Sequence, residues 1–143
     1  MTEVTSGVKH VLVADDEAHI GRIIKIKLEQ GPFRVSLAYD GTDAMEILES
    51  SGDVDVLVLD VMMPRMSGLE VLERIRTDPR WESLPCVILT AAGEASYEQE
   101  ARALGATAFL TKPFSPKKLY SLIAGVTGVS SEEPYDENSV SSD

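Results

Sequence analysis

Val54-Asp55-Val56-Leu57-Val58-Leu59-Asp60 is an almost unbroken apolar run that ends on an aspartate. Apolar side chains on both faces of a strand mark a central strand of a parallel sheet, covered by helices above and below. A second run of this kind, Val11-Leu12-Val13-Ala14, delivers Asp15-Asp16. Between and after the two runs, helical spacing alternates with further short apolar stretches. Neighbouring parallel strands would therefore bring three carboxylates to one end of the sheet. Crowded carboxylates raise one another's pKa unless a cation sits among them. The cluster reads as a divalent-metal site, with Asp60 free to act as a nucleophile.

Working outward, the first strand spans about Lys9 to Ala14. A helix follows over Glu17–Gln30, with Ile20, Ile23, Ile24 and Leu28 facing inward, and Gly31-Pro32 stops it. Phe33 to Ala38 alternates apolar and polar, the pattern of an edge strand. Asp40-Gly41-Thr42-Asp43 opens a helix carrying Ala44, Ile47 and Leu48, and the strand from Val54 to Leu59 comes next.

The loop Met62-Met63-Pro64-Arg65-Met66-Ser67-Gly68 leads to a helix burying Leu69, Val71, Leu72 and Ile75, which Asp78-Pro79 ends. The three methionines read as packing material, and Trp81 as a cover for the core. Leu84 to Leu89 is the fourth strand, with Thr90 at its end. Glu94–Leu104 is a helix anchored only by Ala95, Ala101 and Leu104, with Gly105 as its cap. Ala106 to Leu110 is the fifth strand. A last helix, from about Pro116 to Val126, buries Leu119, Leu122, Ile123 and Val126. Five strands alternating with five helices require crossover connections and a parallel sheet. The expected fold is α/β: a flavodoxin-like, doubly wound (βα)5 sheet in the order 2-1-3-4-5.

Composition narrows the function. The chain has 143 residues, 43% of them apolar, and a formal net charge of −11. That balance argues against nucleic acid or an anionic membrane as partner. No stretch reaches the about 18 apolar residues of a membrane span. The single cysteine, Cys86, permits no internal disulfide and suits a reducing, cytoplasmic setting. Residues 1–7 read as a polar N-terminal extension and 8–127 as the folded domain. Residues 128–143 form an acidic, serine-rich C-terminal tail with five acids and no Lys or Arg. Without them the body still holds 19 acids against 13 bases, about −6. The tail has no core of its own and is expected to be disordered, held away from an acidic body by like charge.

Each site residue has a plain alternative. An aspartate after a strand is often a helix cap, Thr90 a turn residue, Lys112 a solvated lysine. The plain readings weaken because all five end strands at one edge of the sheet. Pro113 after Lys112 restricts that residue and aims its ammonium inward. A hydroxyl and an ammonium around a carboxylate nucleophile are the donors that a transferring phosphoryl group requires, and Mg²⁺ joins carboxylates to phosphate oxygens. His10 and His19 read as surface or strand-edge residues, remote from the cluster.

Asp15-Asp16, Asp60, Met63-Pro64-x-Met66-x-Gly68, Thr90-Ala91 and Lys112-Pro113-Phe114 together resemble the receiver domain of two-component response regulators, over about Lys9 to Thr127. The resemblance implies a stand-alone regulatory phosphoacceptor rather than an enzyme acting on a separate substrate. Asp60 would take a phosphoryl group from a histidine kinase or histidine phosphotransfer protein. Asp15, Asp16, Asp60 and the Met62 carbonyl would hold Mg²⁺ or Mn²⁺, Asp15 largely through water. Thr90 and Lys112 would hold the phosphoryl oxygens, and Thr90 with Phe109 would form the switch toward an unknown downstream protein. Met62 and Ala92 would flank the path of a hydrolytic water and offer it no polar side chain.

Rival readings fail on particular residues. A flavin phosphate would be repelled by Ala14-Asp15-Asp16-Glu17. A haloacid-dehalogenase-type phosphatase needs an acid at the position of Met62. No glycine-rich nucleotide loop is present. A degenerate receiver serving as an unphosphorylated docking scaffold would have lost an acid, the lysine or the Thr/Ser, and none is lost.

Overall fold

Odd and even positions of the central strands face opposite sides of the sheet, and nearly all are apolar. A computed structural model describes residues 7–91 and 95–129. Its strands are β1 (Lys9–Ala14), β2 (Phe33–Ala38), β3 (Val56–Asp60), β4 (Cys86–Ala91) and β5 (Ala108–Lys112). They alternate with α1 (Ala18–Leu28), α2 (Gly41–Ser51), α3 (Gly68–Arg76), α4 (Ala95–Ala103) and α5 (Pro116–Thr127). All strand pairs are parallel, in the order β2-β1-β3-β4-β5. The expected fold and strand order are both observed. The N-terminal extension up to residue 6, Ala92, Glu94 and the tail from residue 130 lie outside the described residues.

Strand alternation divides the core in two. Leu12, Ala14, Leu57, Leu59, Cys86 and Ile88 point to one side, against α2, α3 and α4. Val11, Val13, Val56, Val58, Val87 and Leu89 point to the other, against α1 and α5. Both faces of the middle strands are dry, which is why their sequence shows no polar alternation.

Local chemistry sets the helix ends. Asp40 caps α2, its carboxylate accepting from the Asp43 amide at 2.7 Å. Ser67 and Glu70 form a reciprocal capping box on α3. Ser115 caps α5, with Pro116 in the first turn. Gly52 and Gly128 end α2 and α5 in left-handed backbone, at φ 75° and 79°.

Several boundaries differ from the sequence reading. In α1, Glu17 is the N-cap and Glu29 the C-cap, so the helix is shorter at both ends. Ile23 was expected inside but is 45% exposed, and Ile26 is 66% exposed. The inward stripe is narrower, made of Ile20, Gly21, Ile24 and Leu28. β3 starts at Val56: the Asp55 amide still donates to the His10 carbonyl, but the His10 amide is diverted to the Asp55 carboxylate. β4 runs to Ala91 and takes in Thr90. β5 is displaced toward its carboxyl end, because Thr107 uses its amide and its hydroxyl on Cys86. In α4 only Ala101 is buried, and Tyr97 rather than Ala95 joins the core. In α5, Leu119 and Ile123 are buried as expected and Tyr120 and Ala124 join them, while Leu122 and Val126 pack half-buried against the same layer. Trp81 covers the core as expected, Met63 and Met66 pack, but Met62 is 57% exposed.

His10 corrects a second expectation. β1 is interior, and His10 is 2% exposed. Its Nδ1 lies 2.9 Å from Asp53, its Nε2 2.7 Å from the Ser36 hydroxyl, and its amide donates to Asp55. His19 is exposed, as expected. At the outer edge, the Val35 amide donates to the Glu29 carboxylate and the Val35 carbonyl accepts from Lys25.

His10→Ala would open a cavity at a buried position and leave the half-buried Ser36 without its partner. A loss of about 1–3 kcal/mol in unfolding free energy is expected. Urea denaturation measures it, and an unchanged midpoint would show the histidine to be idle.

Candidate functional site

Every strand's carboxyl end lies at one edge of the sheet, and chain geometry fixes what collects there. Ala14 pairs with Leu59, so Asp15 leaves β1 beside Asp60 at the end of β3. Carboxylate oxygens of Asp15, Asp16 and Asp60 lie within 4.8 Å of one another. Asp15 and Asp60 are buried, while Asp16 is exposed.

Lys112 closes the cluster from β5. Its ammonium stands 2.9 Å from Asp15, 3.0 Å from Glu17 and 3.2 Å from Asp60. The following Lys112–Pro113 bond is cis. Thr90 is buried one residue beyond Leu89, the β4 partner of Asp60. Phe109 is half-buried on β5 against the first core layer, with the Arg102 guanidinium of α4 stacked 4.6 Å from its ring centroid.

Glycine makes the seat of Asp60 possible. A Cβ on Gly68 would fall 2.2 Å from the Asp60 carbonyl oxygen, so only glycine lets α3 start against the end of β3. The Gly68 amide donates to Val61, and the Val61 amide to Leu89, tying the loop to the neighbouring strand. A Cβ on Gly41 would likewise meet the Met66 carbonyl. Arg65, at φ 66°, pairs with the Asp40 cap across the same junction.

Electrostatics matches the crowding. Burial first, then the Asp15 charge, push the Asp60 carboxyl from its ordinary 3.8 up to about 6, against the pull of Lys112 and the Met62 amide. Burial alone would lower the Lys112 pKa, but hydrogen bonds to Asp15 and Glu17 and the charge of Asp60 outweigh it and hold the ammonium charged. Glu17 is held below the usual carboxylate range by its hydrogen bond to Lys112. The donor set fits a small hard cation: three carboxylates, all oxygen, beside a single ammonium that leaves their summed charge negative.

A sequence profile of the response regulator receiver domain matches residues 11–124. The chain belongs to the receiver family of response regulators. Response regulator Rre1 of Synechocystis sp. is 35% identical over 114 residues, covering 79% of this chain and 49% of that protein. The chemotaxis protein CheY homolog of Campylobacter jejuni is 34% identical over 124 residues, covering 86% of this chain and 95% of that one. The chain thus spans about half the length of some curated relatives and nearly all of others. Among solved structures, the chemotaxis response regulator CheY4 of Vibrio cholerae has a TM-score of 0.78 at 31% identity, covering 83% of this chain and 98% of that one. The receiver domain of the Francisella response regulator 1452 has a TM-score of 0.77 at 32% identity, covering 84% and 97%.

In this receiver the sequence-derived residues Asp15, Asp16, Asp60, Thr90 and Lys112 gather at one sheet edge, with Met62 at the rim and Phe109 behind. Glu17 was read only as a helix start and a further local acid, and its contact with Lys112 was missed. The Arg65–Asp40 pair left no signal, since nothing local relates residues so far apart in the chain. No described helix is long and apolar enough to cross a membrane.

Proton and cation compete for Asp60. Divalent-ion affinity is therefore expected to fall as pH drops through about 6 and to level off above it. The stability sign is opposite in the metal-free chain. Folded Asp60 binds its proton more tightly than unfolded Asp60, so stability declines as pH rises from about 4 through 6. Asp60→Asn in chelator at pH 7.5 is expected to stabilise by about 1–3 kcal/mol. Calorimetric titration and urea unfolding read the two effects. A pH-independent affinity, or a destabilised Asn variant, would contradict them.

Proposed function

We propose that Asp60 is the phosphoacceptor of a two-component system or phosphorelay, taking its phosphoryl group from a phosphohistidine. The observation that carries this reading is the Lys112 ammonium 3.2 Å from a buried, proton-avid Asp60 flanked by two further acids. The donor would be a histidine kinase or histidine phosphotransfer protein, the setting cytoplasmic, and the output a changed protein contact. An unphosphorylated scaffold finds no specific support, since the acids, Thr90 and Lys112 all stand in place.

In the transfer, an Asp60 carboxylate oxygen attacks phosphorus in line as the P–N bond breaks, its electron pair leaving with the imidazole nitrogen. Lys112 stays charged and passes from its carboxylate partners to a phosphoryl oxygen, and the Thr90 hydroxyl donates to another. Asp15, Asp16, Asp60 and the Met62 carbonyl would hold Mg²⁺ or Mn²⁺, which supplies charge neutralisation when bound. The receiver orients and stabilises, and by aligning a water with the phosphorus it would also assist its own dephosphorylation.

The response would run through Thr90 and Phe109. Drawing Thr90 toward the phosphoryl group opens space for Phe109 to turn inward, away from the Arg102 guanidinium that now stacks on it. Little opposes a shift of α4, whose single buried residue is Ala101. The downstream protein would meet α4, β5 and α5.

Intact-mass spectrometry after acetyl phosphate treatment is expected to show one phosphoryl group, absent in Asp60→Ala and in excess chelator. Labelling of the Ala variant would refute the acceptor. Met62→Asn places a polar side chain at the exposed rim and is expected to shorten the phosphoryl half-life several-fold. An unchanged half-life would remove Met62 from the water path. Hydrogen exchange with beryllofluoride is expected to change protection from Thr90 onward. Changes confined to α1 and α2 would place the switch elsewhere.

A further inference from the structure

Arg102 passes over the partner nearest to hand. It stands in the last turn of α4, four residues after Glu98. A glutamate four residues ahead of an arginine is the favoured spacing for an ion pair along a helix. That pair does not form. Among the described residues no carboxylate takes the Arg102 guanidinium, which lies instead over the Phe109 ring, 4.6 Å from its centroid.

The ring it covers is placed to feel the phosphoacceptor cluster. Across β4 and β5, Ile88 pairs with Phe109 and Thr90 with Thr111. Side chains two apart on a strand point the same way, so the Phe109 ring and the Thr90 hydroxyl share one side of the sheet. α4 covers that side, and its one buried residue, Ala101, is the neighbour of Arg102. Phe109 is half-buried and has no hydroxyl with which to hold a position by a hydrogen bond. The guanidinium supplies a directional contact in its place, a positive charge against the negative face of the ring.

We propose that Arg102 is a positioning residue of the switch: lying on the Phe109 ring, it holds the resting arrangement and lowers the fraction of molecules ready for a phosphoryl group. The inference rests on the proposed function, since it names what opposes the inward turn of Phe109. Turning the ring inward breaks the contact, so the contact favours the resting state by about two- to five-fold, the equilibrium equivalent of a cation–π pair at an exposed site. A ligand that binds the inward arrangement has its apparent affinity reduced by the same factor. A bias of this size suits a switch. Charge-assisted hydrogen bonds from Thr90 and Lys112 to a phosphoryl group outweigh it, while thermal motion alone meets a steady opposing pull.

Beryllofluoride binding to the full chain in saturating Mg²⁺, followed by calorimetry, tests it. Arg102→Met keeps the length and helix propensity of an exposed side chain and removes its charge. The substitution is expected to tighten apparent beryllofluoride affinity about two- to five-fold. In a Phe109→Leu background, apolar but without the ring, the same substitution is expected to change nothing. Proton NMR gives a signature of the contact itself. The Arg102 δ-methylene resonances are expected upfield, under the ring current, and should return to ordinary values in Phe109→Leu and on beryllofluoride binding. An unchanged or weaker affinity in Arg102→Met, an equal gain with and without the ring, or δ-methylene shifts that ignore Phe109→Leu would each overturn the role of Arg102. Failure of the parent chain to bind beryllofluoride would overturn the acceptor reading with it, a result distinct from binding that is indifferent to Arg102.

Discussion

Lys112 reaches three carboxylates at once, and the upper edge of the sheet is arranged around that contact. Without the ammonium, Asp15 and Asp60 would face each other in a poorly solvated pocket. With it they coexist, yet their negative charge is compensated only in part. The residual negative charge would make the pocket receptive to a divalent cation, whose charge together with that of Lys112 would then offset an incoming anionic phosphoryl group. The lysine thereby lets two buried acids share one pocket, and on the proposed function it would already be in position when the charge there changes. A residue at the end of the fifth strand can do this only if that strand is in register with the fourth, as the Ala91–Lys112 pairing shows.

Packing at the α2, α3 and β3 junction supplies the precision. Gly68 brings a helix N-terminus into contact with the backbone of Asp60, and Gly41 lets α2 close on the loop between. Asp40 serves both junctions, capping one helix and pairing with Arg65. Asp60 is thus set by backbone contacts rather than by flexible side chains. On the far side of the site the opposite holds. α4 is held by one buried alanine, the half-buried Tyr97 and a stacked arginine, a lighter anchorage than the glycine-packed junction at Asp60.

The order of the strands was legible because burial on both faces writes itself into sequence as unbroken apolar runs, and β2 alone among the early strands breaks that pattern. The acids and Lys112 were legible for a related reason, since each directly follows such a run. Ile23 was misread because helical spacing gives an apolar stripe without saying how wide the stripe's partner is. His10 was misread because a polar residue at a strand entrance looks solvent-facing until its partners, Ser36 and Asp53, are folded against it. Strand ends slipped wherever a side chain or amide was diverted, as at Asp55 and Thr107. Those contacts join residues 21 to 45 positions apart, beyond any local pattern.

Val35 illustrates a different kind of design. A sheet whose outer strand offers its amide and carbonyl to solvent invites a stranger's backbone to extend it. Here Glu29 occupies the amide and Lys25 the carbonyl, and the two side chains hold each other as well. The edge is sealed by the same helix that carries the exposed isoleucines. A signalling protein has to offer faces to several others in turn while never polymerising with itself. Around Val35 this chain separates the two demands, with Ile23 and Ile26 exposed on the helix and the strand backbone beside it covered.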